Sequence, residues 1–179
     1  MPEIEIRSLK PEDIEILADF EHGYYSEYVW QMSMDITSET ANTEFRRVRL
    51  PRRVFVPYPR KRTSIFDDYD QAEAFLIAVL NTRSVGYVKV LAERGSDIAR
   101  VTDLVVTAPM RRQGIASGLL LAALDLITYR QFHTLIFEMQ SKNDPAIQLA
   151  SKLGFSYCGF RDQYFPNQEL ALFFSRYAR

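Results

Sequence analysis

The sequence predicts an α/β domain in which a mixed sheet is flanked by helices. Two patterns and the composition predict it. Apolar runs are joined by a short polar turn, and strand-like and helix-like segments alternate through the second half of the chain. Of 179 residues, 47% are hydrophobic and 25% charged, as in an ordinary globular domain. A chain of this length forms one domain, 1–179, with a core of its own. In order, "EIEIRSL" alternates as a strand, and "KPEDIEILADFE" reads as a helix with Pro11 in its first turn and acids behind it. Residues 20–42, with Phe20, Tyr24, Tyr25, Tyr28 and Trp30, are expected on a helix and loop, Trp30 buried. "TEFRRVRLPRRVFVPYPRKR" mixes strand-forming residues with arginines and prolines, which suits an edge strand with a solvated outer face. "AFLIAVLN" and "SVGYVKVLAE" form a hairpin around Asn81–Ser84, and "IARVTDLVVTAP" is a third strand. A helix from Gln113 to about Tyr129 and the strand "TLIFEMQ" follow. "DPAIQLASKLG" is a helix with Asp144 as N-cap, Pro145 at its first position and Gly154 as its stop. "FSYCGF" and "ELALFFSRY" are the closing strands.

The net charge of −1 gives no general attraction to nucleic acid or membrane. Locally, eight basic residues crowd the stretch from Arg46 to Arg62. A solvated surface is the first reading of that run, contact with an acidic substrate or coenzyme phosphate the second, and nucleic-acid binding the last. The single cysteine, Cys158, excludes an internal disulfide and suits a reducing compartment. "MPEIEIRSLK" lacks the apolar core of a signal peptide and no apolar run reaches membrane-spanning length, so a cytoplasmic protein without membrane contact is expected. The sequence has no Cys/His cluster, and no metal is expected. His22 and His133 are read as structural, and Cys158 has no evident histidine partner for nucleophilic chemistry.

"PMRRQGIASGLL" poses a problem of charge. Arg111 and Arg112 stand at a helix start, where the dipole disfavours cations by about 0.3–1 kcal/mol each. An anion resolves it: unpaired N–H groups at a helix N-terminus bind phosphate. Each charge-assisted bond from an arginine is worth about 1.5–3 kcal/mol, more than the dipole term. Gly114 permits close backbone approach, and Ala116, Ser117 and Gly118 are small enough for a bulky group to lie over the turn. The stretch is neither a Walker A loop nor a dinucleotide fingerprint.

"LVVTAPMRRQGIA" resembles the coenzyme-loop signature [QR]xxGx[GA] of the GNAT superfamily of N-acetyltransferases, with Arg111, Gly114 and Ala116 at its defining positions. "NDPAIQLASKLGF" is similar to that family's N-x-x-A…LGF segment through Asn143, Ala146, Leu153, Gly154 and Phe155. The resemblance covers roughly residues 75–177, and "TDLVV", "FEMQSKN" and the ending "GFSYCGFRDQYFPNQELALFFSRY" resemble, more loosely, the streptothricin acetyltransferase type. It implies a largely antiparallel sheet splayed between the strand ending at Val106 and the strand containing Glu138. Acetyl-CoA would be the cosubstrate, held by Leu104, Val105, Val106, Arg111, Arg112, Gln113, Gly114, Ile115, Ala116, Ser117 and Asn143. Residues 75–177 would be the coenzyme-binding core and 1–70 the acceptor side, where Tyr24 and Tyr28 are substrate candidates. Family members often pair, and the apolar "LALFFS" ending is a candidate homodimer surface.

Acetyl transfer to an amine needs a neutral amine, a donor for the thioester oxygen and a leaving thiolate. A lysine-like amine with pKa about 10.4 is less than a thousandth neutral at pH 7. Asp103 is the first candidate base, on the side of its strand opposite Leu104 and Val106, and Glu138 the second. The resemblance implies the Val106 N–H as the oxygen's donor, and a strand bulge there would leave it free. The tyrosine that many members place in an "LY" pair is Ala150 here, so Tyr164 or Tyr157 would replace it as acid. Ala150 supports one rival, a coenzyme-binding module without turnover, and the basic segment 46–62 supports another, a nucleic-acid-binding protein. On this reading Arg111→Glu weakens coenzyme binding and leaves stability nearly intact.

Overall fold

A computed structural model of the chain describes residues 3–178. Among the described residues nine strands and four α-helices follow one another: β1 (Ile4–Ser8), α1 (Ile14–Ala18), β2 (Tyr24–Ile36), β3 (Ala41–Val56), α2 (Arg62–Phe66), β4 (Ala74–Leu80), β5 (Arg83–Ala92), β6 (Ile98–Val106), α3 (Ile115–Tyr129), β7 (Thr134–Gln140), α4 (Asp144–Lys152), β8 (Ser156–Arg161) and β9 (Ala171–Tyr177). Seven strands form one sheet in the order β1-β4-β5-β6-β7-β9-β8, and β2 and β3 form a separate ribbon. All neighbours in the large sheet run antiparallel except β6 and β7.

The β4–β5 hairpin explains why "AFLIAVL" is apolar without a break. Ala74, Leu76 and Ala78 face one layer, with α3 residues Leu119, Leu120 and Ala123, and Phe75 and Ile77 face the other, with Leu17, Ile65 and Phe66. A strand covered on both sides reads as continuous apolar sequence. Asn81 and Thr82 turn the hairpin at φ 47° and 68°. Gly86 lies opposite Val106, where a Cβ would stand 2.8 Å from the Val105 carbonyl oxygen.

The N-terminal half differs from the sequence expectation. Tyr24–Ile36 is a strand, paired with β3 through most of its length. The ribbon is tied down by a carboxylate. Asp144 accepts two bonds from Arg47, both 2.8 Å, and one of 3.1 Å from Trp30 Nε1, while the Trp30 N–H reaches the Ser141 carbonyl at 2.9 Å. Asp144 is therefore not the N-cap of α4. Asn143 is, its side chain accepting from the Ala146 N–H at 3.2 Å. Trp30 is half-buried, packed on the core beside α4. Burial pushes the Asp144 carboxyl up, but the bonds from Arg47, Trp30 and Gln148 outweigh it and hold the group below its ordinary 3.8.

Asp144→Ala is expected to lower unfolding free energy in urea by about 1–3 kcal/mol, the effect of removing a buried carboxylate that holds Arg47 and the half-buried Trp30. Because the folded carboxyl is depressed, this contribution is present above the unfolded pKa of about 4 and lost as pH falls through the folded value. The variant should accordingly lose less stability than wild type on acidification.

Candidate functional site

The site begins where the parallel pair comes apart. β6 and β7 pair from Ile98↔Thr134 to Val101↔Phe137, and then each continues alone, β6 to Val106 and β7 to Gln140. The departure coincides with a bulge: Lys89↔Asp103 and Val90↔Val101 leave Thr102 as the extra residue on β6. The bulge therefore lies at Thr102 and not at Val106. It switches the strand's alternation, so Val101 faces α3 while Asp103 and Val105 face the opposite layer. Thr107 N–H bonds Val85 O on β5 at 2.9 Å. Alternation then turns the N–H groups of Leu104 and Val106 the other way, into the gap.

On one side of the gap is a cavity of about 410 Å³. Leu104, Val105, Val106, Ile115, Ala146 and Leu149 give it apolar walls, and Arg111, Arg112 and Lys152 give it positive charge. Gly114, Ala116, Ser117, Asn143, His22, Tyr24 and Tyr58 also line it. Gly114 stands at φ 84° as the N-cap residue of α3, no described side chain caps that helix, and its first-turn amides open on this space. Arg112 is also left-handed at φ 65°, a strained conformation for a non-glycine residue.

Beyond Tyr58 the gap narrows to a cavity of about 30 Å³ among Arg60, Thr102, Glu138 and Phe165. One buried carboxylate, Glu138, lines it, and a second, Asp103, is buried outside its lining. Asp103 Oδ1 accepts from Tyr58 Oη at 2.6 Å, and Glu138 Oε2 from Tyr164 Oη at 2.6 Å. The Arg60 guanidinium lies between them, bonded to Glu138 Oε1, 3.6 Å from Asp103 Oδ1 and 2.8 Å from the Thr102 carbonyl oxygen. Arg100 stands 3.6 Å from Glu138 Oε2 and donates to Tyr164 Oη at 3.1 Å. Burial raises the Glu138 carboxyl above its ordinary value, and Arg60, Tyr164 and Arg100 reduce that shift without reversing it. Burial works against the charge on Arg60, but Asp103 and Glu138 outweigh it and raise its pKa. His22 is buried; its Nδ1 meets the Phe20 carbonyl at 2.7 Å, so Nδ1 carries the proton and Nε2 accepts from Tyr87 Oη at 2.8 Å. Burial lowers its pKa.

Most of the residues expected at the coenzyme line the larger cavity, and Asp103 and Glu138 both contact the Arg60 guanidinium that lies between them. Arg111 is a correction. Its guanidinium donates to the carbonyls of Val106 (2.8 Å), Gly23 (2.9 Å) and Glu21 (3.2 Å), so it pins the loop to its surroundings rather than standing free for phosphate. Gln113 points away, bonded to Pro109 O at 3.2 Å. Tyr28 lies under Arg47, 3.6 Å from its Cζ, outside the cavity lining. Tyr164 sits on Glu138 and is not among the groove residues, and Tyr157 is half-exposed on β8. Sequence reasoning missed Tyr58, Arg60 and Arg100. Arg60 was hidden in the basic run, although two buried acids on neighbouring strands required a counter-charge from somewhere.

The chain matches the sequence profile of the acetyltransferase (GNAT) family over residues 36–155, well over half its length, and belongs to that family. No curated protein matches it by sequence. Nourseothricin acetyltransferase is similar in structure, with a TM-score of 0.83 at 19% identity over 98% of this chain and 99% of that one. A Bacillus anthracis protein assigned as a streptothricin acetyltransferase, solved with acetyl coenzyme A, gives 0.78 at 17% over 98% and 99%. The ribosomal-protein-S18-alanine N-acetyltransferase of Escherichia coli gives 0.67 at 18% over 98% and 94%. At these identities the likeness is one of fold.

Arg111→Ala is expected to destabilise the protein by about 1–3 kcal/mol, since it strands three carbonyls. For a chain of this size that is a fall of several degrees in Tm, at roughly 2–4 °C per kcal/mol, read by a thermal melt.

Proposed function

We propose that the chain transfers the acetyl group of acetyl-CoA directly to a primary amine of a small molecule or peptide, with the coenzyme in the 410 Å³ cavity. The observation that carries this reading is the opening between β6 and β7, with unpaired strand amides on one side and an uncapped helix start on the other. The fit is chemical as well as spatial. Backbone amides from Arg112 to Ser117 suit a diphosphate, with Arg112 and Lys152 as counter-charges, and Leu104 and Val106 offer strand edges to an amide-bearing pantetheine arm.

The coenzyme, when bound, supplies the thioester; the chain's own groups do the rest. The Val106 N–H donates to the oxygen on which charge develops. Glu138, whose carboxyl burial raises, takes the proton of the incoming ammonium, with Asp103, which contacts the same Arg60, as the alternative base. Tyr164 and Arg100 hold Glu138 in place as positioning residues. Ala150 is fully buried in the core, so the thiolate leaves without a tyrosine from α4, which a thiol of pKa about 8.5 tolerates. Tyr24, whose Oη donates to Gln140 at 2.8 Å, is the phenol that the ribbon itself contributes to the groove wall.

Calorimetric titration with acetyl-CoA should show one site, and Gly114→Val, forcing a β-branched residue to φ 84°, should weaken it at least tenfold. Absence of binding in wild type overturns the reading. Glu138→Gln should lower kcat about 100-fold or more and flatten the acid limb of kcat/KM. That limb should lie above the ordinary carboxylate pKa, with activity rising as pH rises through it. An unchanged profile transfers the base role to Asp103.

A further inference from the structure

The larger cavity has an inner and an outer end. Tyr58, Leu104, Asn143 and Ala146 line both it and the 30 Å³ cavity, so they mark the inner end, where a thioester would lie. From there the wall follows one face of α4 through Ala146, Leu149 and Lys152, three residues apart. Lys152 is in the last turn of α4. It stands about 14 Å farther out than Asn143, at the 1.5 Å rise per residue of an α-helix.

Three permanently charged side chains line this cavity: Arg111, Arg112 and Lys152. Arg111 is engaged by three carbonyls. Arg112 and Lys152 have no hydrogen-bond or ion-pair partner among the described residues. A coenzyme A thioester carries its anionic groups in two places, a diphosphate and a separate 3′-phosphate on the ribose. Seen from the thioester, the ribose lies beyond the diphosphate. The α3 amides and Arg112 suffice for the diphosphate. Lys152, on α4 and at the outer end, is then left facing the third phosphate.

We infer that Lys152 is a specificity-determining residue that binds the coenzyme's 3′-phosphate, so that the protein selects complete acetyl-CoA over the same thioester lacking that group. This rests on the acetyl-CoA reading above. A phosphate monoester is nearly dianionic at pH 7, and a lysine ammonium on its flexible stem meets it as a point charge. Lys152 is exposed, so solvent and salt screen the pairing and keep the preference modest. A lysine in the last turn also suits the helix dipole. That structural role would not distinguish one coenzyme from the other.

The test is calorimetric titration of wild type, Lys152→Met and Arg112→Gly with acetyl-CoA and with acetyl-3′-dephospho-CoA. At low salt wild type should bind the complete coenzyme about fivefold more tightly, and the difference should shrink at about 0.3 M salt. Lys152→Met, which keeps an unbranched apolar stem and removes the charge, should lose that factor for acetyl-CoA and bind the dephospho form as wild type does. Arg112→Gly, which also relieves a left-handed backbone, should weaken both coenzymes by similar factors. Equal affinity of wild type for the two coenzymes overturns the inference. So does a Lys152→Met protein that keeps the preference, or one that loses affinity for both alike. Failure of wild type to bind either coenzyme is a different result, and it removes the functional reading beneath.

Discussion

A parallel strand pair that stops pairing halfway organises this molecule. Once β6 and β7 separate after Val101 and Phe137, both strands expose backbone groups in a buried region, where each unpaired group costs about 1–3 kcal/mol. The structure meets part of that need with side chains. Arg60 takes the Thr102 carbonyl and Arg111 the Val106 carbonyl, while the Leu104 and Val106 amides keep facing the gap. The bulge at Thr102 sets the departure and turns Asp103 toward the opposite layer from Val101. Thr102 Oγ1 is buried without a described partner, a small polar debt at the same point.

The ribbon depends on that separation. β2 comes beside the end of β7 through the Trp30–Ser141 backbone bond, and Asp144 locks it there with Arg47 and Trp30. From this anchored ribbon, residues 57–61 cross to the gap and deliver Tyr58 to Asp103 and Arg60 to both carboxylates. The N-terminal third thus supplies Tyr58 and Arg60 to the inner gap, and the second half supplies the strands and the helix start around the larger cavity. One side is held by long-range ion pairs and the other by backbone geometry.

That division explains what could be read in the sequence. β4 to β7 and α3 were legible because two-sided burial forces apolar periodicity, and because the Arg111–Ala116 loop needs residue types fixed by local conformation. The ribbon was not. Half-exposed strands have weak alternation, and Tyr24, Tyr25 and Tyr28 carry a spacing that also suits a helix. A bulge between Ser26 and Tyr28 blurs the period further. Arg60 was illegible for a different reason. Its meaning lies in partners 43 and 78 positions away, and within its own segment it resembles its seven basic neighbours. Arg111 lines the larger cavity but its guanidinium is engaged, and a local argument about the helix dipole does not see the carbonyls of residues 21 and 23.

The central claim is that the gap between β6 and β7 receives the coenzyme's arm while the α3 loop receives its diphosphate. Amide hydrogen exchange with and without acetyl-CoA tests it most directly, since it reads the backbone groups themselves. The account predicts slowed exchange at Leu104, Val106 and residues 112–117 on adding acetyl-CoA, with β4 and β9 unchanged. Protection confined to other surfaces, with those amides exchanging as before, would contradict it.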